Sequence, residues 1–256
     1  MDNSLNNKVV LIGGGAKNLG GLIARDLAQG GAKALVIHYN SDSTKAAAEE
    51  TVAAVKALGA QAIAIQSDLT KVANVTKLFD EAISNFGGVD IAINTTGMVI
   101  KKAIADVTEA DYDDIFAINS KAAFFFMQEA GKKLNEGGKI CTIVSSLLAA
   151  YTDSYAIYPG SKAPIEHYTR AASKEFGARG ISVTAVGPGP MDTSFFYGQE
   201  SEGAQAYHKT AAALSGYSKT GLTDIEDISP LVKFLVTDGW WITGQTIFAN
   251  GGYTTR

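Results

Sequence analysis

Val9-Val10-Leu11-Ile12-Gly13-Gly14-Gly15-Ala16-Lys17-Asn18-Leu19-Gly20-Gly21 is the stretch that decides the fold. A short apolar run over 9–13 passes into a glycine-rich turn and then into a helical pattern over 19–29. Glycine tolerates positive φ and lets backbone amides come close to a ligand. A helix that begins at such a turn presents partial positive charge suited to a pyrophosphate. A plain tight turn also uses glycines, but this one follows the first strand, where dinucleotide sites are built.

Outward from that turn, strand-like runs at 34–38, 62–66, 91–94, 140–144, 182–186 and 246–249 alternate with helical stretches at 43–58, 72–86, 111–133, 163–176 and 225–237. Apolar runs without polar alternation indicate strands covered on both faces. Strict strand–helix alternation predicts an α/β fold with a doubly wound parallel sheet, Rossmann-like. The 256 residues suit one large domain over 1–256, with no linker, low-complexity segment or repeat.

A net charge of −4 with no basic run gives no footprint for nucleic acid or an anionic membrane. The single cysteine, Cys141, excludes an internal disulfide and a cysteine-rich zinc site, and its apolar surroundings make it a core residue. Residues 1–8 are polar without an apolar signal core, and no run is long enough for a membrane span. The expected location is the cytoplasm.

Chemistry enters at Tyr158-Pro159-Gly160-Ser161-Lys162. Residues four apart share one face of a helix. An ammonium beside a phenol favours the phenolate, so Lys162 is expected to lower the pKa of Tyr158 and make it a proton donor to a carbonyl or alkoxide oxygen. Such pairs also occur on helices without function. Cofactor choice is written at the end of the second strand, where NAD sites carry an acid. Here the sequence is His38-Tyr39-Asn40-Ser41, with no acid before Asp42. Lys17 in the glycine turn stands where a 2′-phosphate would lie. NADPH/NADP+ is therefore the expected cofactor, with NADH weaker. His38 is expected to be structural at the cofactor edge.

These motifs, in this order and spacing, resemble the short-chain dehydrogenase/reductase family along nearly the whole chain. Gly14 and Gly20 match its Gly-x-x-x-Gly-x-Gly turn, while Gly13 replaces a threonine and Asn18 the middle glycine. Asn tolerates the left-handed region, so the turn can persist. The resemblance implies cofactor contacts from Gly14, Lys17, Asn18, Leu19 and Gly20, from Tyr39, Asn40 and Ser41, and from Asp68 and Leu69. It implies further contacts from Asn94 and Gly97 in an Asn-Asn-Ala-Gly-like loop. Pro188, Gly189, Met191 and Thr193 belong to a nicotinamide loop. Tyr158 and Lys162 match Tyr-x-x-x-Lys, and Asn119 matches an asparagine that supports a proton-relay water. The catalytic serine is Ser145, 13 residues before Tyr158, or its neighbour Ser146, which has the small Ala149 three residues on. No metal is required. Thr243-Gly244-Gln245 and Asn250-Gly251-Gly252 resemble the C-terminal signature.

The stretch 194–219 is expected to be an irregular substrate lid. Its Phe195, Phe196, Tyr197, Tyr207 and Tyr217 suit an apolar or aromatic carbonyl compound, or simply pack the lid; His208 is expected at the lid surface. The function expected from the resemblance is NADPH-dependent, reversible reduction of a ketone or aldehyde by a homotetramer. The alternatives are a 3-oxoacyl-thioester (acyl-carrier-protein) reductase, for which only Lys101, Lys102 and Lys219 offer a basic patch, and a non-catalytic NADPH-binding sensor.

Overall fold

The computed structural model describes residues 3–255; the first two residues of the polar N-terminal segment and the last residue lie outside it. Among the described residues, seven parallel strands form one sheet in the order β3-β2-β1-β4-β5-β6-β7. They are β1 (Val9–Gly13), β2 (Ala34–Tyr39), β3 (Gln61–Gln66), β4 (Ile91–Asn94), β5 (Lys139–Ile143), β6 (Ser182–Pro188) and β7 (Gln245–Ala249).

The uninterrupted apolar runs have a direct cause. Val10 and Ile12 of β1 enter one core cluster, with α1 (Asn18–Gln29), α2 (Lys45–Ala57) and α10 (Ile225–Leu235). Val9 and Leu11 enter the other, which buries α3 (Val72–Phe86) and α5 (Ala122–Lys133). Successive side chains point to opposite faces, so a strand covered on both sides must be apolar throughout. Cys141 is fully buried in the first cluster, as the sequence indicates.

The strand order reverses between β1 and β4, and ligands of doubly wound sheets bind at the carboxyl ends of strands beside that reversal. The expected helix over 111–133 is instead α4 (Glu109–Phe116), one π turn (Ala117–Lys121) and α5. Thr108 starts α4 through a reciprocal capping box with Asp111. Tyr158 and Lys162 lie within α6 (Ile157–Lys162), and Pro164 opens α7 (Pro164–Glu175). The stretch expected to be irregular is largely helical, with α8 (Ser194–Tyr197) and α9 (Glu202–Ala211). Ser201 caps α9 by accepting a hydrogen bond from Ala204 N, a start signal that the surrounding small and polar residues obscure. No helix among the described residues is long and apolar enough to cross a membrane.

Candidate active site

The carboxyl ends of the strands frame a cleft of about 610 Å³. Its nucleotide end is the glycine turn. Gly14 has φ 75° and Asn18 φ 50°, so asparagine does take the left-handed conformation where a glycine is usual. A Cβ on Gly20 would lie 2.3 Å from the Gly14 carbonyl oxygen, which restricts that position to glycine. Thr95 Oγ1 donates to Gly13 O at 2.9 Å and Gly14 O at 3.1 Å, and Gly14 N donates to His38 Nδ1 at 3.0 Å.

Gly14, Lys17, Asn18, Leu19, Gly20, Tyr39, Asn40, Asp68, Leu69 and Gly97 all line this cleft, as do Pro188, Gly189, Met191 and Thr193. Three expected residues do not reach it. Ser41 is turned away with its hydroxyl 2.8 Å from Ser43 Oγ, and Thr44 lines the wall instead. Asn94 is buried behind the wall, accepting from Thr96 N at 3.0 Å and Thr96 Oγ1 at 2.6 Å. Asn119 is also fully buried. Its Nδ2 donates to Met98 O and Ser161 Oγ at 2.9 Å, and its Oδ1 accepts from Met98 N at 2.9 Å. Its side chain therefore bolts the loop after β4 to α6.

Tyr158, Lys162, Ser145 and Ser146 converge on the middle of the cleft. Ser145 acts electrostatically on the Tyr158 phenol, favouring its ionised form, whereas Ser146 opens the 3-10 turn beside it. Ser145 Oγ also accepts from Leu147 N at 3.2 Å. Lys162 Nζ donates to Thr96 O at 3.1 Å and Ile143 O at 3.2 Å. Burial pushes Lys162 down to about 8. Tyr158 departs from expectation. Its pKa is raised, because burial outweighs the opposing effect of Ser145. The phenol is thus held protonated at neutral pH and is an acid only toward a stronger base such as an alkoxide.

Beyond Tyr158 the wall holds a cluster that sequence reasoning missed. Glu200, whose side chain is 2% exposed, receives Lys101 Nζ at 2.5 Å and the Tyr155 hydroxyl. Burial raises the Glu200 pKa, but Lys101 and Tyr155 more than offset this and leave it below the usual carboxylate range. His208 is not at the surface: it is buried, lines the cleft and meets the Tyr253 hydroxyl at 3.2 Å through Nδ1. Burial lowers its pKa. Tyr155 stands one turn before Tyr158 with ring centroids 6.2 Å apart, a spacing visible in the sequence. The Lys101–Glu200 pairing spans 99 positions and leaves no local signal. Tyr207 and Tyr217 point to solvent, while Phe195 and Phe196 face the cleft. Among the described residues no group of three or more His, Cys, Asp or Glu is placed to hold a metal ion.

A glycine turn at the switch point of a parallel sheet, opening on a half-buried tyrosine beside a buried lysine and serine, defines an NAD(P)-dependent oxidoreductase. Comparison with known proteins agrees. A family model described as enoyl-(acyl carrier protein) reductase matches residues 14–254. The short chain dehydrogenase/reductase nsrJ of Aspergillus novofumigatus is 35% identical, over 97% of this chain and 96% of its own length. The hydroxynaphthalene reductase-like protein Arp2 of Metarhizium brunneum is 36% identical, over 98% of this chain and 97% of its own. A Burkholderia cenocepacia protein solved with bound NADP superimposes with a TM-score of 0.99 and 66% identity, over 100% of this chain and 97% of that one. The chain belongs to the short-chain dehydrogenase/reductase family.

Proposed function

We propose that the protein is an NADPH-dependent carbonyl reductase acting on a ketone or aldehyde of small, apolar or aromatic character. The observation that carries this is the half-buried Tyr158 phenol, one helical turn from Lys162 and sharing with Ser145 the cleft that holds the glycine turn.

The residues present fit a dinucleotide carrying a 2′-phosphate. Gly14 and Gly20 leave no room for side chains where a phosphate backbone must approach. Lys17 is exposed at the N-cap of α1, and Asn40 lines the wall at the end of β2. A 2′-phosphate needs a cation and hydrogen-bond donors, which these two supply. The NADP bound by the Burkholderia cenocepacia relative supports the same choice. When bound, the nicotinamide supplies hydride.

The protein's own groups handle the oxygen and the proton. Ser145 polarises the substrate carbonyl by donating a hydrogen bond to its oxygen. Tyr158, kept protonated by burial, gives its proton as negative charge builds on that oxygen. Lys162, held by two backbone carbonyls, keeps positive charge beside the phenolate that forms. Phe195 and Phe196 form the apolar side of the substrate wall, and residues 194–219 act as its lid.

The family model's description favours a second substrate class, an acyl-carrier thioester. Against it, each lysine that an acidic carrier would contact is already paired. Lys101 meets Glu200 at 2.5 Å, Lys102 meets Asp111 at 2.6 Å and Lys219 meets Glu226 at 3.6 Å. Assembly as a homotetramer belongs to the same reading, and it is supported by Tyr112 and Phe124, exposed on α4 and α5. Sedimentation checks it: an even oligomer is expected, and a monomer at micromolar concentration counts against it.

The test is NADPH consumption with a panel of aromatic and aliphatic ketones, aldehydes and a 3-oxoacyl thioester. Turnover with free ketones and little with the thioester is expected. Turnover of the thioester alone would reverse the choice. No turnover with any, despite tight NADPH binding, would favour a sensor.

A further inference from the structure

His38 is a buried histidine that the mechanism above does not use; only 2% of its surface is exposed. It occupies the second-last position of β2, and both ring nitrogens are committed. Gly14 N donates to Nδ1 at 3.0 Å, and Nε2 lies 2.8 Å from Ser67 O. A backbone N–H can only donate and a carbonyl can only accept. Nδ1 must therefore be bare and Nε2 must carry the proton, so the geometry fixes a neutral ring in one tautomer. Burial holds the ring neutral, pushing its pKa down to about 4 against the opposing effects of Ser67 and Asp68.

The backbone of His38 extends the same connection, because Gly15 N donates to His38 O at 3.0 Å. Tyr39 O then accepts from Ser67 N at 2.9 Å. One residue thus ties three segments: the glycine turn, the end of β2 that leads to Asn40, and the loop after β3 that carries Asp68. All three line the nucleotide end of the cleft. The Gly14 amide is spent on His38 and is unavailable to a phosphate, so the His38 ring, at the edge of the cleft, acts on the ligand through the position of the turn.

We propose that His38 is a positioning residue for the cofactor: its imidazole sets the glycine turn against the Asn40 and Asp68 walls and thereby sets dinucleotide affinity. The proposal rests on the dinucleotide reading of the cleft. A shift of a turn that must fit a phosphate closely weakens binding, while the remote Tyr158, Lys162 and Ser145 keep their geometry.

The experiment measures NADP+ binding by calorimetry, thermal unfolding, and kcat and KM for NADPH in wild type, H38L, H38N and H38Q. Asn can place an oxygen where Nδ1 stands and still accept from Gly14; Gln reaches toward Ser67 instead; Leu does neither. H38L should bind NADP+ roughly ten-fold more weakly or worse, with kcat at saturating NADPH reduced far less than affinity. H38N should recover most of that affinity and H38Q little of it. If H38L does not fold, the H38N and H38Q pair decides. Equal losses in H38N and H38Q, affinity kept in H38L, or better rescue by H38Q would overturn the role of His38. Wild-type protein that binds neither NADP+ nor NAD+ would overturn instead the dinucleotide reading beneath it.

Discussion

Replacing Glu200 tests whether the lid is held by one buried charge pair. The Glu200 side chain is 2% exposed and Lys101 is 26% exposed. Removing one member of a fully buried pair costs about 3–5 kcal/mol. Lys101 can turn partly toward water, which trims this to about 2–3 kcal/mol. The Tyr155 hydroxyl also loses its acceptor, adding on the order of 1 kcal/mol. Glu200→Ala should therefore lose about 3–4 kcal/mol, a fall in Tm of roughly 6–16 °C for a chain of this size. Glu200→Gln keeps an acceptor for Tyr155 and should lose about half as much. The lid should loosen in both, raising KM for the carbonyl substrate about ten-fold in Glu200→Ala while kcat changes less. Calorimetry and steady-state kinetics read both numbers. A Glu200→Ala variant that melts within about 2 °C of wild type, with unchanged KM, would refute the idea that this pair fastens the lid.

Three further outcomes are expected. Ser145→Ala should lose activity severely and Ser146→Ala mildly, because Ser145 acts on the Tyr158 phenol while Ser146 opens a 3-10 turn; the reverse order would exchange their roles. Lys17→Ala should weaken NADPH binding roughly ten-fold and leave NADH binding almost unchanged; equal loss of both would show that Lys17 does not read the 2′-phosphate. The rate of carbonyl reduction should decline as pH rises through about 8, where Lys162 loses its charge, and a profile flat to pH about 10 would deny Lys162 that role. The sign for stability is opposite. The folded pKa lies below the unfolded 10.5, so between these values the unfolded chain holds more protons and the contribution of Lys162 to stability grows with pH.

The sheet was legible because burial on both faces forces uninterrupted apolar strands, and Val9 to Ile12 divide between the two cores accordingly. The glycine turn was legible because close backbone approach admits few residues, and even the substitution by Asn18 obeyed the left-handed rule. Tyr158 and Lys162 were legible as a helical i, i+4 pair. Their electrostatics were not: spacing shows that a cation is near, but burial decides the sign at Tyr158, and burial is a tertiary property. Asn94 and Asn119 were found by motif, yet both stand behind the wall: the Asn94 oxygen is held by Thr96 two residues on, and the Asn119 amide is spent on Met98 and Ser161. The lid was the least legible part. Glu200 draws Lys101 and Tyr155 from two distant stretches and His208 from its own, and no local pattern brings such residues together.

The central claim is that Tyr158 delivers the proton to the substrate oxygen. It is tested most directly by Tyr158→Phe, which keeps the ring and removes only the hydroxyl. With the best ketone of the panel, kcat at saturating NADPH should fall by roughly a hundred-fold or more, about 2.7 kcal/mol of barrier. NADP+ affinity, measured by calorimetry on the same preparation, should stay within about three-fold of wild type. A variant that binds NADP+ normally and keeps more than about a tenth of the wild-type rate, a change under about 1.4 kcal/mol, would contradict the claim.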